Sequence, residues 1–228
     1  MTNEWREAGR GAGMSGRQAE DAAALLARCG ERLDGLPGRS GERRGAYFVP
    51  GRIEVLGKHT DYAGGRSLLC ATERGFAMLC RPRDDRLVRV VDVGWDVRAE
   101  FACDPDLAPA VGDWTNYPQT VARRLARNFP GASRGADLAL ASNLPADAGM
   151  SSSSALLVAC FLALAEANGL AARADYQAAI AGPEDLAGYL GTIENGQSFG
   201  PLAGDRGVGT FGGSEDHTAM LCCRAGAI

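Results

Sequence analysis

The sequence predicts an α+β fold in which a mixed β-sheet forms first and helices follow it. Short apolar segments rich in strand-forming residues fill residues 46–101, whereas helical apolar patterns dominate from residue 116 onward. Strands first and helices later differ from the regular strand–helix alternation of a doubly wound fold. With 228 residues, 46% hydrophobic and 23% charged, the composition is typical of a globular protein that can bury a sizeable core.

The first 43 residues are predicted to form a flexible segment with one helix. Glycine and arginine are frequent at both ends of this segment, which favours loops. Between them, residues 19–33 repeat alanine, leucine and cysteine at helical spacing, so one helical face is apolar. The domain itself is therefore expected over residues 44–228.

Within that domain each element is predicted from its own pattern. Apolar runs bounded by glycine or charged turns predict strands, and a period of 3.6 residues predicts helices. The predicted strands are 46–49, 52–56, 67–71, 75–81, 87–93, 97–101, 136–140 and 219–223. One predicted helix begins at residue 116, and three others span 151–168, 173–181 and 184–194. A glycine-dense loop is predicted over residues 196–213.

Charge, cysteine content and the length of apolar runs disfavour several classes of protein. The net charge is −4 with scattered arginines, so nucleic acid is not expected as a partner. The N-terminus lacks a signal-peptide core, and the longest apolar run, 155–165, is shorter than the roughly 20 residues of a membrane span. Seven cysteines without C-x-x-C spacing and two histidines argue against a zinc site. A cytoplasmic protein with reduced thiols and no membrane partner is expected.

A candidate phosphate-binding loop runs from Asn143 to Ala155. A predicted strand leads into a small-residue loop in which Gly149 lets the backbone approach a ligand closely. Serines 151–154 then open a long apolar helix, where unpaired N–H groups and the positive end of the helix dipole favour an anion. The spacing is not that of the G-x-x-x-x-G-K-[ST] loop, and the alternative is a helix cap followed by small residues.

A second polar cluster follows Pro50. Arg52, Lys58, His59 and Asp61 gather at the end of a predicted strand and in the loop after it. Arginine and lysine suit a phosphate group, while the aspartate suits sugar hydroxyls. The alternative is a solvated, charged turn.

A third cluster closes the glycine-rich segment near the end of the chain. The sequence from Gly207 to Thr218 contains Asp216 directly after several glycines. An aspartate on such a loop is a candidate for holding or deprotonating a hydroxyl group. The alternative is a plain surface loop.

Taken in chain order, these segments resemble the GHMP small-molecule kinases and, within them, the galactokinases. Residues 50–62, PGRIEVLGKHTDY, resemble the signature P-G-R-[VI]-N-[LI]-I-G-E-H-[TI]-D-Y, and 114–117, WTNY, are similar to a W-x-N-Y segment. Residues 145–155 resemble the P-x-x-x-G-[LM]-S-S-S-A phosphate loop. The stretch from Glu194 to Asp216 is similar to the segment between a metal-binding glutamate and the G-x-x-D aspartate. The resemblance covers roughly residues 44–228.

The resemblance implies a fold and a domain plan. The fold would be the ribosomal-S5-domain-2-like N-terminal domain of a GHMP kinase, a mixed sheet packed with helices. In the family a second α+β domain follows and supplies a third glycine-rich motif near the nucleotide. The C-terminal GHMP domain is therefore expected to be largely absent from these 228 residues.

The resemblance also implies an ATP-dependent sugar kinase that moves the γ-phosphoryl group of MgATP to the anomeric C1 oxygen of galactose or a related sugar. Asp216 would be the general base or charge partner of that hydroxyl, and Arg52 would stabilise the developing negative charge. The implied ligand-binding residues form three groups: Gly149, Met150, Ser151, Ser152 and Ser153 for the nucleotide phosphates, Ser153 and Glu194 for Mg²⁺, and Lys58, His59, Asp61 and Gly213 for the sugar.

The sequence departs from the galactokinase pattern at several points. Lys58, the single lysine among 24 basic residues, stands where the family has the glutamate of G-E-H-T-D-Y. An ammonium group accepts no hydrogen bond and favours a carboxylate-bearing sugar, so uronic acids are candidate substrates and galactose is not expected to be the best one. Glu54 replaces the signature asparagine, and the spacing from Glu194 to Asp216 is longer than in galactokinases.

Two other functional classes compete with the kinase. One is a catalytically inactive or truncated homologue that acts as a sugar- or nucleotide-binding module. The retained Arg52, Asp216 and serine loop favour a catalyst, whereas Lys58 and the short chain favour the binding module. The other class is a non-kinase protein with coincidental motifs, which four matches in the right order disfavour.

Overall fold

Five strands form one mixed sheet in the computed structural model, which describes residues 2–37, 45–57, 60, 64–146 and 148–226. The strands are β1 (Gly45–Leu56), β2 (Leu68–Pro82), β3 (Leu87–Asp92), β4 (Val97–Ala102) and β5 (Ala136–Ser142). Their order is β1-β2-β5-β3-β4. The β3–β5 pair is parallel and the other neighbours are antiparallel. The predicted mixed sheet is confirmed.

Seven α-helices accompany this sheet in the described part of the chain. They are α1 (Thr2–Gly11), α2 (Gly16–Asp34), α3 (Asn116–Asn128), α4 (Ser152–Ala167), α5 (Ala174–Ala179), α6 (Pro183–Asn195) and α7 (Glu215–Cys222). The predicted α+β class is confirmed. None of the described helices is long and apolar enough to cross a membrane.

Helix α4 explains the long apolar run in the sequence. It packs against β1 and β2 on one side and against helices α3, α6 and α7 on the others. Its side chains from Ala155 to Phe161 are all buried, because neighbours surround it on every side. Helix α2 covers the opposite face of the sheet and packs on β2 and β5. Helix α4 thus lies at the centre of the core between the sheet and helices α3, α6 and α7, with its N-terminus at one edge of that core.

The first two strands are longer than the sequence patterns predict. The two segments predicted on either side of Gly51 form one strand, β1. The two segments predicted on either side of residues 72–74 likewise form one strand, β2. Their register shifts between Pro50 and Arg52, where the partner moves from Gly75 to Ala71. A Cβ at Gly75 would lie 2.2 Å from the Val49 carbonyl oxygen, so glycine allows the two backbones to approach here.

Two predictions at the chain ends are wrong in part. Residues 219–223 were expected to be a strand, but 219–222 belong to helix α7, whose acidic first turn, Glu215 and Asp216, suits the positive end of a helix dipole. A short apolar run cannot by itself distinguish a strand from a buried helical segment. The N-terminal segment contains two helices rather than one, since residues 2–11 are also helical.

All seven cysteines are free, and four are buried. Burial raises the pKa of the Cys29 and Cys80 thiols to about 12, which keeps them protonated and unreactive near neutral pH.

A buried cluster of arginines around Asp137 ties the N-terminal helix pair to the sheet. The carboxylate accepts hydrogen bonds from Arg81 Nη2 at 2.6 Å, Arg89 Nε at 2.6 Å and Arg83 Nη1 at 3.1 Å. Arg81 and Arg89 also donate to the Pro37 carbonyl just after helix α2. Burial raises the pKa of the Asp137 carboxyl, but its hydrogen bonds to arginine lower it by more, so the pKa lies below its usual value.

We expect Asp137→Asn to destabilise the fold by about 3–5 kcal/mol, because it leaves buried guanidinium groups without their counter-charge. The matched control is Asp96→Asn, which removes a pair with Arg32 in which the Asp96 side chain is 77% exposed and should cost less than about 1 kcal/mol. Urea unfolding followed by circular dichroism measures both. Equal losses in the two variants would contradict the role given to this cluster.

Candidate active site

A cleft of about 630 Å³ lies where strand β1, the N-terminus of α4, the C-terminal end of α6 and the N-terminus of α7 meet. Three of the segments singled out from the sequence contribute side chains to it: the strand after Pro50, the serine loop and the loop before Asp216. Residues far apart in the chain therefore share one site. Its walls carry several charged and hydroxyl groups.

Arg52 and Asp216 form an ion pair inside this cleft. Arg52 Nε donates to Asp216 Oδ1 at 2.5 Å, across 164 positions of sequence, and Nη1 donates to the Gly149 carbonyl at 2.6 Å. Their side chains are 14% and 21% exposed, so solvent screens the pair only partly. The structure brings together the two residues that the sequence singled out as catalytic.

The serine loop crosses over strand β1 because glycine and a left-handed residue permit it. A Cβ at Gly51 would lie 2.6 Å from Leu144 Cδ2, and the Arg52 N–H donates to the Met150 carbonyl at 3.2 Å. Gly149 has φ +65°, and Ser151, which precedes helix α4, has φ 53°. The first turn of α4 is thereby directed at the cleft, where its positive dipole end favours the binding of an anion.

The serines of this loop differ in their contacts. Ser151 donates a hydrogen bond to Asp216 Oδ2, and Ser153 lines the cleft. Ser154 is buried and donates to Glu194 Oε2 at 3.0 Å, while its Oγ also lies 3.4 Å from Asp216 Oδ2. The sequence prediction placed Ser153 with Glu194; in the structure the hydroxyl in contact with Glu194 is that of Ser154.

His217 joins the same group and was not among the predicted site residues. It is 1% exposed, and its Nε2 lies 3.2 Å from Glu194 Oε2. Gly191 allows helix α6 to approach the residues just before helix α7, since a Cβ at this position would lie only 3.0 Å from the Gly213 carbonyl oxygen. The signal in the sequence was the position of His217 directly after Asp216, opposite the end of the helix that carries Glu194.

The predicted sugar-binding residues are only partly described. Gly213 lines the cleft, and the neighbouring Gly212 carbonyl accepts a hydrogen bond from Asn195 Nδ2 at 2.8 Å. Lys58, His59 and Asp61 lie outside the described residues.

The donor set of the cleft fits a hard divalent cation held together with a ligand. Glu194, Asp216 and Ser154 present carboxylate and hydroxyl oxygens, the donors that Mg²⁺ prefers. No group of three His, Cys, Asp or Glu residues forms a complete metal cage within the described residues. Mg²⁺ usually takes one or two protein carboxylates and completes its shell with water and substrate phosphates, so two carboxylates suffice.

The glycine-rich segment between α6 and α7 is anchored at its base by a second buried ion cluster. Asp205 accepts from Arg123 Nε at 2.8 Å and Arg124 Nη1 at 3.3 Å, and all three side chains are at most 7% exposed. Further along, the Val208 N–H donates to the Glu194 carbonyl at 2.9 Å. The segment therefore returns to the cleft at a fixed place.

Sequence models of two known families match this chain. The model described as the galactokinase galactose-binding signature matches residues 38–82, and that of the GHMP kinases N terminal domain matches residues 116–196. Both matches include residues that line the cleft.

Curated relatives match about half of the chain. A galactokinase from Actinobacillus pleuropneumoniae is 38% identical over 109 residues, and one from Chloroflexus aggregans is 42% identical over 112 residues. These segments are 48% and 49% of this chain and 28% of the length of each relative.

Solved structures share the fold. Lactococcus lactis galactokinase complexed with galactose superimposes with a TM-score of 0.68 at 23% identity, over 85% of this chain and 45% of that one. The Methanococcus jannaschii mevalonate kinase gives a TM-score of 0.53 at 12% identity, over 81% and 52% of the two chains. At these identities the likeness shows the fold alone, which is that of the GHMP kinases.

We expect Ser154→Ala to lower the free energy of unfolding by about 1.5–3 kcal/mol, because it removes a buried hydrogen bond to the Glu194 carboxylate. Ser152→Ala is the matched control in the same serine run; Ser152 is exposed, so its loss should stay within about 0.5 kcal/mol. Urea unfolding in the presence of EDTA measures both without a bound cation. Indistinguishable stabilities would contradict the bridging position of Ser154.

Proposed function

Because the chain belongs to the GHMP kinase superfamily and carries galactokinase-type motifs, we propose that it is an ATP-dependent sugar kinase. It transfers the γ-phosphoryl group of ATP to the anomeric hydroxyl of galactose or a related sugar. The observation that carries this proposal is the Arg52–Asp216 ion pair, which lies in the same cleft as the N-terminus of helix α4. A carboxylate that can hold the hydroxyl, a guanidinium that can stabilise developing charge and a phosphate-binding helix end together suit phosphoryl transfer to a hydroxyl.

The nucleotide phosphates bind to the loop that precedes helix α4. Backbone N–H groups between Gly149 and Ser153 donate to phosphate oxygens, and the helix dipole favours their negative charge. The Gly149 carbonyl is already occupied by Arg52 Nη1, which leaves the N–H side of the loop for the anion.

The sugar hydroxyl is held at Asp216. The oxygen of the sugar hydroxyl attacks the γ-phosphorus, the bond from phosphorus to the β–γ bridging oxygen breaks, and ADP leaves. The proton of the hydroxyl passes to the Asp216 carboxylate. Arg52, bonded to that carboxylate at 2.5 Å, fixes its orientation and stabilises the negative charge that develops on the transferred group.

Mg²⁺ bound with the nucleotide would supply positive charge that neutralises the phosphate oxygens. Glu194 and the serine hydroxyls at the start of α4, Ser153 and Ser154, are the residues that would hold it. Ser154 orients the Glu194 carboxylate through its hydrogen bond, and His217 contacts the same carboxylate from the opposite helix.

The sugar is proposed to carry a negative charge. Lys58 replaces the glutamate of the galactokinase signature, and an ammonium donates hydrogen bonds but accepts none. His59, Asp61 and Gly213 are the other proposed sugar contacts. Galacturonate and glucuronate are therefore candidate acceptors beside galactose.

We expect Asp216→Asn to lower kcat by about 10²–10⁴, because the amide cannot accept the hydroxyl proton. Nucleotide binding should be retained, and Asp84→Asn, at a carboxylate 98% exposed outside the cleft, should change neither property. A coupled ADP-release assay with calorimetric nucleotide titration measures both. Equal inactivity of the wild type and Asp216→Asn, with nucleotide still bound, would favour the sugar- or nucleotide-binding module instead.

We expect the wild type to prefer a uronic acid over galactose in kcat/KM and Lys58→Glu to reverse that preference, because the substitution restores the acceptor of the signature and repels a carboxylate. Steady-state rates with galactose, galacturonate and glucuronate measure the preference. A wild type that strongly prefers galactose would contradict the proposed role of Lys58.

A further inference from the structure

Phe211 is the most exposed large apolar side chain in the described part of the chain. Its relative exposure is 101%, and it lines the cleft that contains the Arg52–Asp216 pair. Among the other exposed large hydrophobic residues described, Ile53 alone lines this cleft, at 49% exposure. A single exposed apolar residue is unremarkable on a protein surface, but an aromatic ring at the mouth of a polar cleft is placed to meet a ligand.

The segment that carries Phe211 is fixed at its base. The Asp205 carboxylate is clamped by Arg123 and Arg124, and Asn116 Nδ2 donates to the Val208 carbonyl at 2.9 Å. These contacts are buried, so the segment enters the cleft from a rigid anchor.

The tip beyond that anchor has open space around its glycines, while Asn195 Nδ2 holds it through the Gly212 carbonyl. Gly209 has φ +95°, and a Cβ built at Gly209 or Gly212 would meet no atom within 4 Å. Glycines on both sides of Phe211 therefore give the backbone room to turn the ring toward a bound ligand. A rigid base with a short glycine tip presents the ring at a defined place without burying it beforehand.

We propose that Phe211 is a sugar-binding residue, which packs its ring against the C–H face of the acceptor. This inference rests on the proposed kinase function and adds a contact that the galactokinase-type motifs do not include. A pyranose carries hydroxyls at its edge and C–H groups on its face, so it suits a site with polar walls and one aromatic ring. Arg52 and Asp216 supply the polar partners, and Phe211 supplies the apolar one.

The acceptor suits this position better than the adenine of the nucleotide. The sugar carries the attacking hydroxyl and must lie against Asp216, which lines the same cleft as Phe211. Adenine is separated from the transferred group by a ribose and two further phosphates. An aromatic ring that lines the same cleft as Asp216 is therefore placed to contact the sugar rather than the adenine.

The test compares Phe211→Ala and Phe211→Trp with Trp95→Ala. Trp95 is also an exposed aromatic residue, at 76%, but lies on the β3–β4 hairpin outside the cleft. Steady-state KM for the sugar and for ATP is measured separately for each protein. Calorimetric titration with galactose, galacturonate and glucuronate in the presence of a non-hydrolysable ATP analogue measures sugar binding without turnover.

We expect Phe211→Ala to raise the sugar KM and Kd about tenfold, with the ATP KM and the melting temperature unchanged. Phe211→Trp should restore sugar affinity, and Trp95→Ala should match the wild type. Unchanged sugar affinity in Phe211→Ala, or a rise in the ATP KM instead, would overturn the inference. A wild type that binds a sugar but transfers no phosphoryl group would refute the kinase proposal alone, since Phe211 would still be tested by binding. A wild type that binds none of the three sugars would overturn both.

Discussion

The guanidinium group of Arg52 is the contact on which the cleft depends. It joins strand β1, the loop before helix α4 and the start of helix α7 through one hydrogen bond to Asp216 and one to the Gly149 carbonyl. Arg52 places a positive charge beside the Asp216 carboxylate, which together with the Glu194 carboxylate lies within reach of the Ser154 hydroxyl. A planar guanidinium can bind two acceptors in fixed directions, which a lysine cannot do.

The scaffold keeps these three elements in place by burial and by two clusters of arginine around aspartate. Helix α4 lies in the core with its N-terminus at the cleft, so the serine loop cannot shift without moving the core. Asp137 ties helix α2 to the sheet on one side, and Asp205 anchors the glycine-rich segment on the other. Each aspartate accepts from two or more arginines, so the charges inside the fold are held in networks rather than in isolated pairs.

Much of the fold could be predicted from the sequence, which also singled out Arg52 and Asp216 in separate clusters; their ion pair is known from the structure alone. Helix α4 was predictable because its apolar run is long and ends at Asn168-Gly169, and β3, β4 and β5 because short apolar runs lie between clear turns. Strand β1 was divided at Gly51 because a glycine normally signals a turn, and β2 was divided at the polar residues 72–74. In the structure Gly51 and Gly75 lie inside strands that pass close to their neighbours.

The finer geometry of the site depends on information that spacing does not carry. Four consecutive serines look alike until the start of the helix is known, because each further residue turns the side chain by about 100°. The structure starts α4 at Ser152, which turns Ser154 inward to Glu194 and leaves Ser152 exposed. The place of His217 depended on residues 215–222 forming a helix, where the sequence predicted a loop followed by a strand at 219–223.

The central claim is that Arg52 and Asp216 act as one unit in transferring a phosphoryl group to a sugar. A double-mutant cycle on the rate of sugar phosphate formation, with Arg52→Ala, Asp216→Asn and the double variant, tests it most directly. The two groups share one hydrogen bond at the proposed reacting centre, so the double variant should be hardly slower than the worse single variant. Rate losses that simply multiply, or a wild type that forms no sugar phosphate, would contradict the claim.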